Sequence, residues 1–315
     1  MKLEGIHHIT AITADAPRNL DFYARVMGLR LVKKTVNQDD PTVYHLFYAD
    51  EQGSPGADLT FFEYPEAPRG RAGDGMVHRI VWRVGSEEAL DFWSQRLADE
   101  GGEPSRDTQG ATGGHALRFT DPEGLEHELR VSDSGDEPLI ADHPEVPHEL
   151  ALQGFDGVRA YASDPEGSHD LLEHGLGFTR LPDGAWELRG EQRSGWLAYD
   201  EPPPERGLPS AGTVHHVAFA STMDDHERWR ERAAEHGARP TPVIDRFWFR
   251  SVYFREPSGV LFEIATIGPG FATDEDPGHL GEKLVLPPQF EPARERIAAA
   301  LTPLESPREA SAPAQ

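Results

Sequence analysis

The sequence predicts an α+β fold built from four copies of one βαβββ unit, paired into two domains with incompletely closed mixed β-barrels. Three observations carry that expectation. A short strand-like segment recurs four times, at 6–12, 77–82, 155–161 and 214–219. Each copy is followed by a polar start signal and a stretch of helical periodicity that stops at glycine. Alternating apolar segments joined by turn residues then complete each unit.

In the first unit Asp15 and Pro17 mark a helix start, Leu20, Tyr23 and Met27 share a face, and Gly28 supplies the stop. In the second, Ser86 precedes Ala89, Trp93 and Leu97, and Gly101 with Gly102 ends the helix. The third helix is expected from about Asp164 through Leu171 and Leu172 to Gly175. The fourth is expected from Ser221 through Trp229 and Ala233 to Gly237. Asp121-Pro122-Glu123-Gly124 and Glu256-Pro257-Ser258-Gly259 read as turns between antiparallel strands at matching places in units two and four. The chain therefore divides into units one and two at 5–132, a linker at 133–151 rich in Asp, Glu, Pro and His, and units three and four at 152–268. A C-terminal extension follows at 269–303, and the Pro/Ala/Ser/Glu tail at 304–315 has the composition of a disordered segment.

Composition narrows the chemistry. The 315 residues carry a formal charge of −25 and no cysteine. Without thiols there is no disulfide framework, catalytic thiol or thiolate metal site, so a metal would have to be held by histidine and carboxylate. The negative surface opposes association with phosphate backbones and anionic lipid, which makes nucleic acid and membranes poor partners. The opening MKLEGIHHIT lacks a basic segment leading into an apolar run, and no stretch approaches the roughly 20 apolar residues that span a bilayer. The expectation is a cytoplasmic protein.

The strands that open units one and four carry histidine pairs, His7-His8 and His215-His216. Alternation along a strand sends one member of each pair to the concave sheet interior and the other away from it. Glu263 ends the last strand of unit four inside the apolar run Val260-Leu261-Phe262-Glu263-Ile264-Ala265, where an unpaired carboxylate costs several kcal/mol and calls for a cation or strong donor beside it. Two imidazoles and one carboxylate make the facial triad that holds non-haem Fe(II) and leaves positions open for dioxygen and a substrate oxygen. Spacing alone leaves the metal unidentified.

These residues sit in longer stretches with a specific likeness. Gly5-Ile6-His7-His8-Ile9-Thr10, the segments 28–40 and 44–56, Val214-His215-His216-Val217-Ala218-Phe219, Asp245-Arg246-Phe247, Gly268-Pro269-Gly270-Phe271 and 280–284 together resemble the vicinal oxygen chelate superfamily. Within it the likeness is to the ring-cleaving dioxygenases of the hydroquinone and chlorohydroquinone type, and it runs from Gly5 to about Pro303. The resemblance implies Fe(II), with Mn(II) as the alternative, on His8, His216 and Glu263. It further implies His215, Tyr253 and Arg246 as catalytic groups, with His7 and Thr10 beside the substrate. Packing behind the ligands is the competing role for His7 and His215.

The implied reaction opens a para-dihydroxylated ring with O2 to a semialdehyde acid, the substrate binding through one phenolate oxygen. The implied partners are a small aromatic compound and O2, with a homo-oligomer as the expected assembly. Two other readings compete. Glu63, in Leu59-Thr60-Phe61-Phe62-Glu63, is expected to occupy in unit one the place Glu263 holds in unit four; if both carboxylates bind the metal, the site becomes His8, Glu63, His216 and Glu263, similar to the isomerase site of glyoxalase I. The chain could also be a non-enzymatic protein that sequesters an aromatic or quinone.

Overall fold

The computed structural model describes residues 1–107 and 116–305. The residues beyond 305, which include most of the expected disordered tail, lie outside them. Among the described residues, sixteen strands form two eight-stranded mixed sheets. Unit one supplies β1 (Ile6–Thr13), β2 (Arg30–Val36), β3 (Tyr44–Ala49) and β4 (Asp58–Glu63), and unit two supplies β5 (Met76–Val84), β6 (Ser105–Asp107), β7 (Ala116–Thr120) and β8 (Glu126–Val131). Unit three supplies β9 (Phe155–Tyr161), β10 (Thr179–Arg180), β11 (Trp186–Arg189) and β12 (Ser194–Asp200). Unit four supplies β13 (Thr213–Ser221), β14 (Ile244–Asp245), β15 (Arg250–Arg255) and β16 (Leu261–Thr266).

The strand orders are β14-β15-β16-β13-β1-β4-β3-β2 and β10-β11-β12-β9-β5-β8-β7-β6. The sheets therefore do not follow the division of the sequence into 5–132 and 152–268. Unit one joins unit four, and unit two joins unit three, through the antiparallel pairs β1·β13 and β5·β9. The opening strand of every unit is one of that unit's two edge strands, and it is the edge through which the unit pairs with another, while β2, β6, β10 and β14 remain at the sheet margins.

The helix start signals act as side-chain caps where expected. Asp15 accepts from Arg18 N at 3.0 Å before α1 (Ala16–Leu20), which continues as a more loosely wound turn over Asp21–Val26. Ser86 accepts from Ala89 N at 3.2 Å before α2 (Glu87–Asp99). The fourth helix differs: Ser221 is the last residue of β13, and α3 (His226–Glu235) begins five residues later. The apolar periodicity through Trp229 matches this helix, but Ser221, expected at its start, is buried in the sheet. The third breaks into a short turn over Pro165–Ser168 and a wide turn over Leu171–Leu176.

Strand alternation separates two environments in the first sheet. Ile9, Ala11, Leu59, Phe61, Val217, Phe219, Phe262 and Ile264 face the main core, which holds Tyr23 and Trp229 from the helices. The opposite, concave face packs a second cluster that includes Phe47, Ala218, Trp248, Phe249 and Phe271. The C-terminal extension closes one end of that face. Fully buried Lys33 of β2 donates to Phe271 O at 3.1 Å and pairs with Asp274 at 2.9 Å and with Glu275, while Trp248 Nε1 donates to Asp274 at 2.9 Å.

Candidate metal centre

The site forms where β1, β13 and β16 meet on the concave face. Both histidine pairs sit at β-bulges. Ile6 faces Phe219 and His8 faces Ala218, which leaves His7 as the extra residue on β1. Thr10 faces His216 and Ala11 faces Val214, which leaves His215 as the extra residue on β13. A bulge breaks strict alternation and re-aims side chains. Each pair consequently makes an edge contact within itself, with His7 and His8 Nδ1 atoms 2.9 Å apart and His215 and His216 Nδ1 atoms 2.7 Å apart.

The opposite ring nitrogens converge. His8 Nε2 lies 3.2 Å from His216 Nε2, and Glu263 Oε2 lies 3.2 Å and 2.8 Å from them respectively. Ligand atoms about 2.1 Å from one ion at right angles stand about 3 Å apart, so this triangle matches one face of an octahedron. All three residues are buried, and neither oxygen of Glu263 makes a hydrogen bond of good geometry among the described residues. Burial pushes the Glu263 carboxyl up, but the neighbouring His8 and His216 more than reverse this and hold it well below the usual carboxylate range. Burial lowers His216, keeping it a neutral donor. The residues fit a divalent cation.

The tautomer of His8 follows from what lies behind it. His7 Nε2–H donates to Thr266 O at 3.2 Å, so its Nδ1 is an acceptor for His8 Nδ1–H, and the lone pair of His8 Nε2 is left for a metal. Burial, then His8, lowers the His7 pKa to about 3, so the ring is neutral.

A narrow cavity of about 30 Å³ opens beside the triad, lined by His8, Thr10, His45, Phe47, Phe62, His216, Trp248, Phe249 and Tyr253. At its mouth Arg246 makes a two-pronged ion pair with Asp39, at 3.1 and 2.8 Å, and Gln38 donates to Arg246 O at 2.8 Å. The Tyr253 ring lies 5.6 Å from His216 and beneath the Arg246 guanidinium. Burial, then Glu263, raises the Tyr253 hydroxyl, which remains protonated. Thr10, Arg246 and Tyr253 therefore line the cavity, whereas His7 and His215 stand behind the ligands and do not. A larger groove of about 1220 Å³ runs between α1, the linker and the C-terminal extension, and it holds none of these residues.

The expected equivalence of Glu63 with Glu263 is corrected by the register. Glu263 faces Ala218, two residues beyond His216; two residues beyond His8 is Thr10, and it faces Thr60. Thr60 is thus the counterpart of Glu263. Glu63 lies an odd number of residues further on, so its side chain is on the helix side, accepting from Ala16 N at 3.1 Å and Thr302 Oγ1 at 2.9 Å. A four-ligand site on His8, Glu63, His216 and Glu263 does not form.

The sequence reading did not single out His45, Thr60, Asp39 or Asp58. His45 shares the face of Phe47 by simple alternation along Tyr44–Ala49, a signal that was present but no different from that of a packing residue. Asp58 is buried behind His7 and His8, close enough to form a second potential ligand group with them. Burial, then Asp50 and Glu263, raises it well above the usual carboxylate value, which keeps it neutral, and the His7 and His8 Nδ1 atoms are already engaged with each other.

Paired modules of this kind around a His/His/Glu face define a family. The model of the Glyoxalase/Bleomycin resistance protein/Dioxygenase superfamily matches residues 5–129 and 154–264, and the chain belongs to it. Over 318 residues the chain is 39% identical to the Bacillus subtilis protein named "Putative ring-cleaving dioxygenase MhqA", covering 97% of this chain and 100% of that one. It is 30% identical over 322 residues to the chlorohydroquinone/hydroquinone 1,2-dioxygenase of Sphingobium indicum, covering 94% and 95% of the two. The crystal structure of a dioxygenase so described from B. subtilis superposes with a TM-score of 0.90 at 39% identity, over 97% of this chain and 98% of the other.

Proposed function

We propose that this protein is a ring-cleaving dioxygenase that opens a hydroquinone-type ring with O2 to a semialdehyde acid. It would use Fe(II), with Mn(II) as the alternative, held by His8, His216 and Glu263. The observation that carries this reading is the three-ligand face itself: Thr60 stands where a second carboxylate would supply a fourth protein ligand, so a six-coordinate ion held there would keep three positions for small molecules. The names of the full-length relatives support the substrate class.

Held by His8, His216 and Glu263, such an ion would supply Lewis-acidic and redox chemistry for a phenolic substrate and dioxygen. The protein residues do the rest. Phe47, Phe62, Trp248 and Phe249 offer apolar walls to the ring and keep water from it. Tyr253 O–H and the Arg246 guanidinium donate toward oxygen atoms on which negative charge develops. His215, exposed and bonded to His216, is assigned support of the ligand in this reading in place of direct proton transfer. His7 supports His8 in the same way. The Asp39–Arg246 ion pair crosses the mouth of this narrow cavity, so admission of an aromatic ring is assigned to parting of the two segments that the pair joins.

The test is oxygen uptake by protein loaded anaerobically with Fe(II), against hydroquinone, methylhydroquinone and catechol. Stoichiometric consumption of O2 with the para-diols is expected. Tight aromatic binding with no oxygen consumption would instead identify a sequestering protein.

A further inference from the structure

We propose that His45 is the proton acceptor for the ring hydroxyl presented to the metal, reached through Thr60 and Thr10; the proposal rests on the dioxygenase reading above. Three side chains from three adjacent strands form one hydrogen-bonded line across the concave face. Thr10 Oγ1 on β1 is 2.8 Å from Thr60 Oγ1 on β4, which is 2.9 Å from His45 Nε2 on β3. Thr10 begins the line at the centre, two residues beyond His8 on the same strand face and directly opposite His216 in the β1·β13 register. Thr10 and Thr60 are fully buried, so the line runs through the interior of the sheet and not over its surface.

The far end is built to hold an imidazole in place. The His45 ring lies between Phe47, at 4.0 Å between centroids, and Phe62, at 4.4 Å, and it lines the cavity that His8 and His216 also line. The charged and titratable groups that face it are His8 from β1, His216 from β13, Arg246 from the segment before β15, and Glu263 from β16. Burial, followed by the repulsion of His8, His216 and Arg246, lowers its pKa well below the ordinary histidine value, so the ring begins unprotonated. His7 and His215, the other neutral histidines near the centre, have their Nδ1 atoms engaged with the ligands and lie outside the cavity wall.

The transfer balances without an external reactant. The substrate O–H bond breaks and its proton passes to Thr10 Oγ1, the Thr10 proton passes to Thr60 Oγ1, and the Thr60 proton passes to His45 Nε2. The phenol becomes a phenolate and the imidazole an imidazolium, with no electrons exchanged. The phenolate is the counter-charge that makes the cation tolerable in a buried site. Reversal returns the proton when the opened product leaves. Thr60, the residue that replaces a fourth ligand, thereby has a chemical role of its own.

The test compares wild type, His45→Gln, Thr60→Val and Thr60→Ser, each loaded with Fe(II). Anaerobic ultraviolet titration with hydroquinone distinguishes bound phenolate from bound phenol, and oxygen uptake from pH 6 to 9 gives kcat and KM. Wild type and Thr60→Ser are expected to bind phenolate. His45→Gln and Thr60→Val are expected to bind phenol at near-normal KM, to lose about 100-fold in kcat at neutral pH, and to regain rate as pH rises. Phenolate binding and unchanged kcat in both of those variants, with wild type active, would overturn this inference alone. A wild type that neither binds hydroquinone nor consumes oxygen would overturn the dioxygenase reading and this inference with it.

Discussion

The two sheets share one plan and differ in what occupies it. In the second sheet the register breaks at the same places: Val77 faces Ala160 and Arg79 faces Arg159, leaving His78 as the bulged residue, and Asp156 is bulged on the partner strand. Counting from those bulges, Arg79 stands where His8 does, Gly157 where His216 does, Ala198 where Glu263 does, and Glu128 where Thr60 does. No ligand set forms there among the described residues. Arg79 pairs with Glu126 at 2.8 Å and Glu128 at 3.2 Å, and Arg159 pairs with Asp200. The bulged His78 bonds Asp200 at 2.8 Å and stacks on Tyr161 at 3.9 Å. Trp196 lies across Gly157 so closely that a Cβ there would meet it at 2.2 Å.

The difference teaches what the fold contributes and what it does not. The bulges and strand order are common to both sheets, so they position side chains without selecting chemistry. In the second sheet, carboxylates facing the interior are neutralised by guanidinium groups. In the first, Glu263 is left facing the imidazoles of His8 and His216 with both oxygens lacking a well-formed hydrogen bond among the described residues, an arrangement a cation would complete.

The largest effects are expected at the proposed ligands in the first sheet. Glu263→Gln or His216→Ala should take bound metal, measured by elemental analysis after dialysis, from about one ion per chain to near zero and oxygen uptake to background. Arg79→Met, at the matching place in the second sheet, should leave both unchanged. Full metal retention in Glu263→Gln would remove that residue from the ligand set.

A finer alteration installs the missing carboxylate. Thr60→Glu should keep or strengthen metal binding while lowering oxygen uptake by at least about 100-fold, because an open position is filled and the relay to His45 is cut. Metal-free Thr60→Glu should unfold at lower denaturant than wild type, since an extra buried carboxylate then has no partner.

Support residues come next in size. His7→Phe should weaken metal affinity about 10–100-fold, as measured by competition with a chelator. His215→Phe should weaken it less, because His7 is itself anchored by Thr266 O and His215 has no such bond among the described hydrogen bonds.

The smallest effect concerns acid stability in the second half of the fold. Burial lowers the His127 pKa to about 3, with Trp82 Nε1 donating to its Nδ1 at 3.1 Å and Tyr23 at its Nε2. The unfolded chain therefore binds a proton that the folded one refuses, and the stability this gives above pH 6.5 is lost as pH falls toward 3. From this residue alone the loss should be about 1.3 kcal/mol at pH 5.5 relative to neutral pH, read by denaturant unfolding. A shift of the opposite sign would contradict a neutral buried His127.

Much of this was legible before any coordinates. Repetition of the strand openings and the glycine stops disclosed four units, because each unit is a local pattern of period, cap and turn. The pairs His7-His8 and His215-His216 and the isolated carboxylate of Glu263 in an apolar strand marked the centre for the same reason. Three things were not legible. The union of unit one with unit four depends on which free strand edges meet, and that leaves no local trace. The bulges that turn His7 and His215 toward the ligands are irregularities in pairing between strands, invisible along either strand alone. The exchange of Glu63 for Thr60 depends on register, where a shift of one residue reverses every side chain. The sequence by itself determined the modules and the chemical kinds of ligand available, since these depend on residues close in the chain. Tertiary structure alone decided which of those residues share a face, because sheet register is a property of two strands at once.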